Sequence, residues 1–403
     1  MRNVKESRNL SSWVRRRKWF MVIPCVIILS FVSALFIELI AYTVFRFSPA
    51  SSWKVVVKPG EWSKQNSMAR SMAVYNDGSG QKLYVGTRND SAGCEVRASD
   101  SNRWAIVGTN GIGNDRNKEA MSMVVFKSKL YVGTRNANGC EVRRYDGGKH
   151  WSLVVEPGFG SGKKNGVASP MIIFNDSLYV ATRNRNGFNL YRSSDGASWE
   201  TITGDGFGNP GYDLATSMAV YDDGSGSKLY LGTRSTMGCG VLEYDGKGPS
   251  ATIVGRDGLG DTGNDIALSL GVYKSKLYVG THNKAGCQVR RFDGDQRWSP
   301  DSPPGFGNPD GNKGVFTLFV YESCLYAGTG FESGTGFVDS CWILRTVADN
   351  KSLKWTSNNV RGFADDFNRG AVSWAKYKDQ LYVGTWNTNK GCGIYINRPD
   401  TFM

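Results

Sequence analysis

The segment LYVGTRN occupies residues 83–89, and the same seven letters return at 130–136. Five further segments match it closely: LYVATRN (178–184), LYLGTRS (229–235), LYVGTHN (277–283), LYAGTGF (325–331) and LYVGTWN (381–387). Their starts are separated by 47, 48, 51, 48, 48 and 56 residues. Self-similarity at a nearly constant period of this length indicates a chain built from repeated supersecondary units.

Each repeat contains four short apolar stretches, which we call strands a, b, c and d. Strand a precedes the common segment, as in SMAVY (71–75), and the common segment is strand b. Strand c follows a Gly-Cys pair, as in GCEVRRYDG from residue 139, and strand d usually begins with tryptophan, as at Trp151. Val, Ile, Tyr, Phe and Trp dominate the strands, with Gly, Asp and Asn between them. Four strands in about 48 residues is typical of a β-propeller blade, and stacking of neighbours would bury both apolar faces of each blade.

The two ends of the repeat region predict how the propeller closes. The last repeat ends with its strand c, GCGIYIN (391–397), while WKVVV (53–57) resembles a strand d and precedes the first repeat. Pairing these two segments would complete the last blade and cover two strand edges. The sequence therefore predicts an all-β domain over residues 53–403, a seven-bladed β-propeller with N-terminal/C-terminal strand closure.

The repeat region resembles seven-bladed β-propellers of the WD40 and kelch type, and its Asp-Gly…Trp corners resemble the Asp-box of sialidase-like propellers. It lacks the Gly-His…Trp-Asp pairs of WD40 repeats and the Gly-Gly doublet of kelch repeats. Asp195 also lies four residues before Trp199, closer than in an Asp-box. The resemblance therefore implies an architecture and assigns no residue a role.

Residues 1–52 differ from the repeats in composition. Residues 1–18 hold seven Lys and Arg side chains against one acid, and residues 19–45 are apolar with the single charge Glu38. About 20 apolar residues span a bilayer as a helix, and a cationic flank stays in the cytoplasm. The sequence predicts a basic cytoplasmic tail (1–18), one transmembrane α-helix acting as a signal anchor (19–45), a short linker (46–52) and a propeller on the extracytoplasmic side. A cleaved signal peptide is the alternative, which the length of the apolar run disfavours.

Three residues of the apolar segment are candidates for contacts within a membrane. Ser30 and Ala34 form a small-xxx-small pair that would pack against another membrane helix. Glu38 lies near the outer end of the segment, where it would either serve a function or extend to the headgroups.

Charge and histidine content narrow the classes of function. The net charge is +13, of which the first 18 residues supply +6, so the remaining chain is only mildly basic and nucleic acid is not expected as a partner. There are only two histidines, His150 and His282, so a multi-histidine metal site or a Ser-His-Asp triad is disfavoured. We predict no catalytic residue, no metal and no cofactor.

Six cysteines occupy the same place in six repeats: Cys94, Cys140, Cys239, Cys287, Cys341 and Cys392. Phe188 takes this place in the third repeat. Equivalent atoms of adjacent blades lie too far apart for a disulfide, so we predict buried thiols that act as small apolar side chains.

Candidate binding residues come from loops that meet on one face. The b–c loops carry Arg88, Arg135, Arg183, Arg234, His282 and Trp386, and the enlarged loop 330–340 adds Phe331, Glu332 and Asp339. The arginines would either capture anions in a shared mouth or pair with carboxylates of their own blades. The enlarged loop is either a contact surface or a tolerated insertion. The asparagines that recur in the d–a loops, such as Asn117, are predicted to cap loop amides.

The function predicted from these features is non-catalytic. The chain is expected to act as a membrane-anchored docking scaffold, or as an accessory subunit of a membrane assembly, with a protein partner and the lipid bilayer as contacts. The alternatives are a lectin-like propeller that binds glycans or anions, and a sialidase- or lyase-like hydrolase.

Overall fold

The computed structural model describes residues 53–100, 103–331, 340–347 and 353–397. Its strands fall into antiparallel groups of four, each of which we call a blade. The first three blades are β2 (Met68–Asn76), β3 (Gln81–Arg88), β4 (Val96–Ser99) and β5 (Trp104–Gly108); β6 (Glu119–Phe126), β7 (Lys129–Arg135), β8 (Val142–Gly147) and β9 (His150–Leu153); and β10 (Ala168–Phe174), β11 (Ser177–Thr182), β12 (Asn189–Ser193) and β13 (Glu200–Thr203).

The next three blades follow in chain order. They are β14 (Leu214–Asp222), β15 (Ser227–Arg234), β16 (Val241–Tyr244) and β17 (Thr252–Gly255); β18 (Asn264–Tyr273), β19 (Lys276–Asn283), β20 (Val289–Phe292) and β21 (Trp298–Pro300); and β22 (Gly314–Tyr321), β23 (Cys324–Gly330), β24 (Ile343–Val347) and β25 (Lys354–Ser357). Short helical turns lie in the d–a loops, at Asn110–Gly113, Pro157–Gly160, Gly162–Lys164, Asp257–Leu259, Pro304–Gly307 and Arg361–Ala364.

The last group takes its strands from both ends of the described chain. It contains β26 (Gly370–Tyr377), β27 (Gln380–Trp386), β28 (Ile394–Asn397) and β1 (Trp53–Val57). Strand β1 pairs antiparallel with β28, with Trp53 opposite Asn397 and Val55 opposite Tyr395. The N-terminal strand therefore supplies strand d of this group.

Side-chain hydrogen bonds join neighbouring blades both at the inner strands and at the outer strands. Near the inner strands, serine hydroxyls donate to carbonyls of the next strand a, as from Ser71 Oγ to Ala120 O at 2.8 Å. At the outer strands, the indole that opens strand d donates to the preceding strand d, as from Trp151 Nε1 to Val107 O at 2.8 Å. These bonds recur because each repeat presents the same residue types at the same strand positions.

The cores lie between neighbouring blades and contain the recurring cysteines. Cys94, for example, packs with Val96 of its own blade and Leu130 of the next. All six recurring cysteines are buried, as predicted for small apolar side chains, and all are free thiols. Burial raises the pKa of Cys239 and of Cys392 to about 12, which makes both thiols poor nucleophiles.

The fold class expected from sequence needs one correction. Across the described ranges, no helix is both long enough and apolar enough to cross a membrane. The predicted transmembrane helix (19–45), and with it Ser30, Ala34 and Glu38, lies outside the described residues. The fold class is therefore all-β and propeller-like, and the single-pass, signal-anchor and extracytoplasmic assignments, together with lipid as a partner, are not retained.

Candidate functional site

The d–a loops begin with a tight turn that places one apolar residue in the core. In the second blade, Gly111 has φ 69° and Ile112 has φ 52°, so two successive residues adopt the left-handed conformation. A Cβ on Gly111 would lie 3.1 Å from Asn117, which explains the glycine. Ile112 is 1% exposed, and its burial offsets the strain of its positive φ. The same conformation recurs at Phe159, Phe207, Leu259, Phe306 and Phe363.

A buried asparagine joins five of these six turns to the neighbouring b–c loop, and the turn at Phe207 has Tyr212 in its place. Asn117 Nδ2 donates to Gly111 O at 2.9 Å, and Asn117 Oδ1 accepts from Thr134 Oγ1 at 3.1 Å and from Asn136 Nδ2 at 2.9 Å. Equivalent turn bonds are made by Asn165, Asn264, Asn312 and Asn368. The predicted structural role is thus present, although the amide donates to a carbonyl rather than capping loop N–H groups. The two loop types are held together as one rigid face.

Below this face lies a central cavity of about 500 Å³, lined by strand a of several blades. Its apolar wall contains Met68, Met72, Met121, Met123 and Met171, together with Leu268, Phe316, Val372 and two tryptophans, Trp374 and Trp386. The indole Nε1 of Trp386 is buried without a hydrogen-bond partner among the described residues. The wall is therefore mostly apolar and rich in flexible thioether side chains.

One sector of the cavity rim is a chain of ion pairs. Glu119 accepts from Arg70 Nε and from Arg135 Nε, both at 2.9 Å. Arg135 also contacts Asp90 at 2.5 Å, and Asp90 in turn accepts from Arg88 at 2.8 Å. Burial opposes ionisation of Asp90, but the two arginines outweigh it and lower its pKa. The arginines in this sector are therefore already compensated by carboxylates.

Another part of the rim holds a second set of pairs. Arg234 makes two hydrogen bonds to Asp213, one of them from Nε at 2.9 Å. Arg183 reaches the same carboxylate only at 3.7 Å. His282 Nδ1 lies 2.6 Å from Asp265 Oδ1, and its side chain is 6% exposed. Asp213 is thus shared unequally, and Arg183 has the weaker contact.

The candidate binding residues named from the sequence lie in different parts of the structure. It places Arg88, Arg234, His282 and Trp386 around the cavity, and Arg135 joins them through Glu119. Arg183 lines a different cleft. Phe331 is buried at 5% exposure, and Glu332 and Asp339 lie outside the described residues.

From the sequence we did not identify the residues that make the cavity wall apolar or those that pair with the arginines at its rim. The methionine wall and the carboxylate Glu119 were not among the candidates, nor was Arg70. A partial signal was available, because Ser-Met pairs at 71–72 and 122–123 supply Met72 and Met123 of the wall, although Met218 of the pair at 217–218 does not line it. In the part of the chain that the structure describes, no three His, Cys, Asp or Glu side chains form a group that could hold a metal ion.

Comparison with known proteins agrees on the fold. Residues 98–210 match the model of a family described as the DUF6242 beta propeller domain. A chain in the crystal structure of the mitotic checkpoint complex is similar at a TM-score of 0.56 and 14% identity, covering 86% of this chain and 95% of that one. No curated protein matches the sequence. The chain is a β-propeller, and at this identity the likeness shows the fold alone.

Two further solved structures are more distant. The luciferin-regenerating enzyme has a TM-score of 0.45 and 9% identity, with coverage of 87% of this chain and 95% of that one. Aleuria aurantia lectin in complex with α-methyl-L-fucoside has a TM-score of 0.43 and 14% identity, with coverage of 72% and 94%. Neither similarity carries an argument about this chain.

Proposed function

We propose that this β-propeller is a non-catalytic docking protein that holds a segment of a protein partner at the mouth of its central cavity. The observation that carries the proposal is the methionine- and tryptophan-lined cavity of about 500 Å³ beneath a rigid loop face. Apolar pockets with a few polar groups at the rim are the usual form of a ligand site. Methionine adapts its shape to the side chains it meets, so such a wall suits an apolar anchor residue.

The rim favours a peptide over a simple anion. Glu119, Asp90 and Asp213 compensate the arginines around them, so the rim as a whole does not present an uncompensated ring of positive charge. It presents donors and acceptors of both signs, which match the mixed polarity of a polypeptide backbone and its flanking side chains. The similar chain from the mitotic checkpoint complex comes from a multi-protein assembly, which is consistent with this use of the fold.

Selection from a random-peptide display library against the purified full-length chain tests the proposal. We expect enrichment of peptides that share an apolar anchor residue. Met121→Lys and Leu268→Lys place a charge in the cavity wall and should weaken binding of these peptides by at least about tenfold, since an unpaired buried charge is costly.

Val55→Lys provides the matched control, because it makes the same kind of change on the exposed strand β1. This variant should bind the selected peptides as the unmodified chain does. Selected peptides that bind the two cavity variants at full affinity would contradict docking in the cavity, as would the absence of any enriched sequence.

A further inference from the structure

A second concave site lies on the loop face, apart from the central cavity. It is a cleft of about 460 Å³ lined by Ala137, Gly166, Asn184, Asn186 and four cations, Lys163, Lys164, Arg183 and Arg185. None of these residues lines the central cavity, and none is acidic. All four cationic side chains belong to exposed residues.

The charge of this cleft arises where the third repeat departs from the second. Arg135 of the second repeat is compensated by Glu119 and by Asp90 of the preceding repeat. When the repeats are aligned on their recurring asparagines, Val167 takes the position of Glu119 and Ala137 takes the position of Asp90. Arg183 therefore lacks both carboxylates that neutralise its counterpart.

The ion pair that Arg183 makes within the described part of the chain is weak. Asp213 lies 3.7 Å from Arg183 Nε, and this carboxylate is already bound by two hydrogen bonds from Arg234. The Arg183 side chain is 44% exposed, so its pairing is also screened by water. Its guanidinium keeps donors for a ligand.

The flanking loops add cations where other repeats have acids. The position of Asp90 in the first repeat is held by Arg185 in the third, and the position of Asp115 in the second repeat is held by Lys163. Lys164 follows directly in the turn Gly162–Lys164. Several independent sequence changes thus raise the positive charge of the same cleft.

The backbone that carries these cations is fixed. Asn184 Nδ2 donates to Asn165 Oδ1 at 3.0 Å, and Asn184 Oδ1 accepts from the Asn186 N–H at 3.0 Å. On the other wall, the Gly166 carbonyl accepts from the Asn136 N–H at 3.0 Å. The backbone of the concave surface is therefore preformed, which lowers the backbone entropy lost on binding.

We propose that this cleft binds a ligand with linked phosphate groups. Four cations in one concave site require a ligand of more than one negative charge, and arginine forks match the geometry of phosphate oxygens. The cleft volume exceeds that of a single phosphate or sulfate ion, so two linked tetrahedral groups engage the lysine wall and the arginine wall together.

Isothermal titration of the purified full-length chain with inorganic pyrophosphate at low ionic strength tests this site. We expect one molecule bound per chain, and at least about tenfold weaker binding of inorganic sulfate. Arg183→Gln should weaken pyrophosphate binding about tenfold, as expected for losing charge-assisted hydrogen bonds. Ala137→Asp should weaken it at least as much, because it restores the carboxylate that neutralises Arg135 in the preceding repeat.

Lys127→Gln is the control, since it removes one exposed charge from an a–b turn outside the cleft. It should change the affinity less than twofold. The proposal is overturned if pyrophosphate does not bind, if sulfate binds equally well, or if the control weakens binding as much as Arg183→Gln. The cleft and the central cavity share no lining residue, so the outcome of this titration neither supports nor contradicts the peptide-docking proposal.

Discussion

Removing the buried asparagine of one d–a loop should destabilise the propeller by much more than an ordinary surface substitution. Asn117 is fully buried, and its amide joins the turn at Gly111 to the b–c loop of the same blade through Thr134 and Asn136. It also donates to Glu141 Oε2 at 2.7 Å. The variant Asn117→Ala removes all four bonds at once.

The magnitude follows from which partners find a substitute. Thr134 Oγ1 can still donate to Glu141 O, and Glu141 still accepts from Arg143. The Gly111 carbonyl still accepts from the N–H of Asn114 at 3.4 Å, so one N–H of Asn136 is the group left without its buried partner. An unsatisfied buried group costs about 1–3 kcal/mol, and this is the loss expected in the free energy of unfolding.

Equilibrium unfolding in urea, followed by tryptophan fluorescence, measures this loss. Asn138→Ala is the matched control, since Asn138 is exposed two residues beyond Asn136, and it should change stability by less than about 0.5 kcal/mol. A loss below about 1 kcal/mol for Asn117→Ala, or one equal to that of the control, would refute the view that these asparagines hold the loop face together.

Two further predictions concern two indole N–H groups and one carboxylate. Trp298→Phe removes the hydrogen bond from the indole N–H to Val254 O at 2.8 Å and should lower the free energy of unfolding by about 0.5–1.5 kcal/mol. Trp386→Phe removes a buried N–H that has no partner among the described residues, so it should lower the free energy of unfolding by less. Equal losses for the two variants in urea unfolding would contradict this. Hydrogen bonds from the backbone N–H groups of Ser198 and Ala197 lower the pKa of the Asp195 carboxyl in the folded protein. The ionised carboxylate therefore stabilises the fold at pH values above the unfolded-state pKa of about 4. This stabilisation is lost as the pH falls below that value. Asp195→Asn should therefore flatten the dependence of the unfolding midpoint on pH in acid, and an unchanged dependence would show that the hairpin does not use this charge.

The sequence was sufficient for the features that every repeat needs. Strand b was located to within two residues, since the segment predicted at 83–89 is observed as Gln81–Arg88 and the one at 381–387 as Gln380–Trp386. The buried cysteines and loop asparagines were also identified, because each repeat must solve the same packing problem with the same residue types. A residue that recurs in the repeats can therefore be assigned a structural role from the sequence alone.

The features of the candidate site were harder to predict because they depend on contacts between repeats. Arg135 is neutralised in part by Asp90, which lies 45 residues away in the chain and belongs to the preceding blade. Strand a is covered by neighbours on its two faces, so its apolar pattern does not tell which methionines line the cavity. The predicted arginine mouth was therefore too uniform, since it treated Arg135 and Arg183 as equivalent.

The third blade shows why departures from a repeat are informative. Strand a of this blade has Pro170 where the other blades have a hydroxyl that donates to a neighbour, such as Ser71, and Pro170 has no hydroxyl to donate. Phe174 stands where Tyr75 donates a hydrogen bond to the next blade, a place that Phe126 takes in the second blade. Phe174 keeps the packing without the hydrogen bond, since it is buried in the core with Tyr179 and Tyr244. The bonds missing at Pro170 and Phe174 would reach the fourth blade. The carboxylates missing around Arg183 belong instead to the seam with the second blade, so the basic cleft arises from a separate set of departures on the other side of the same blade.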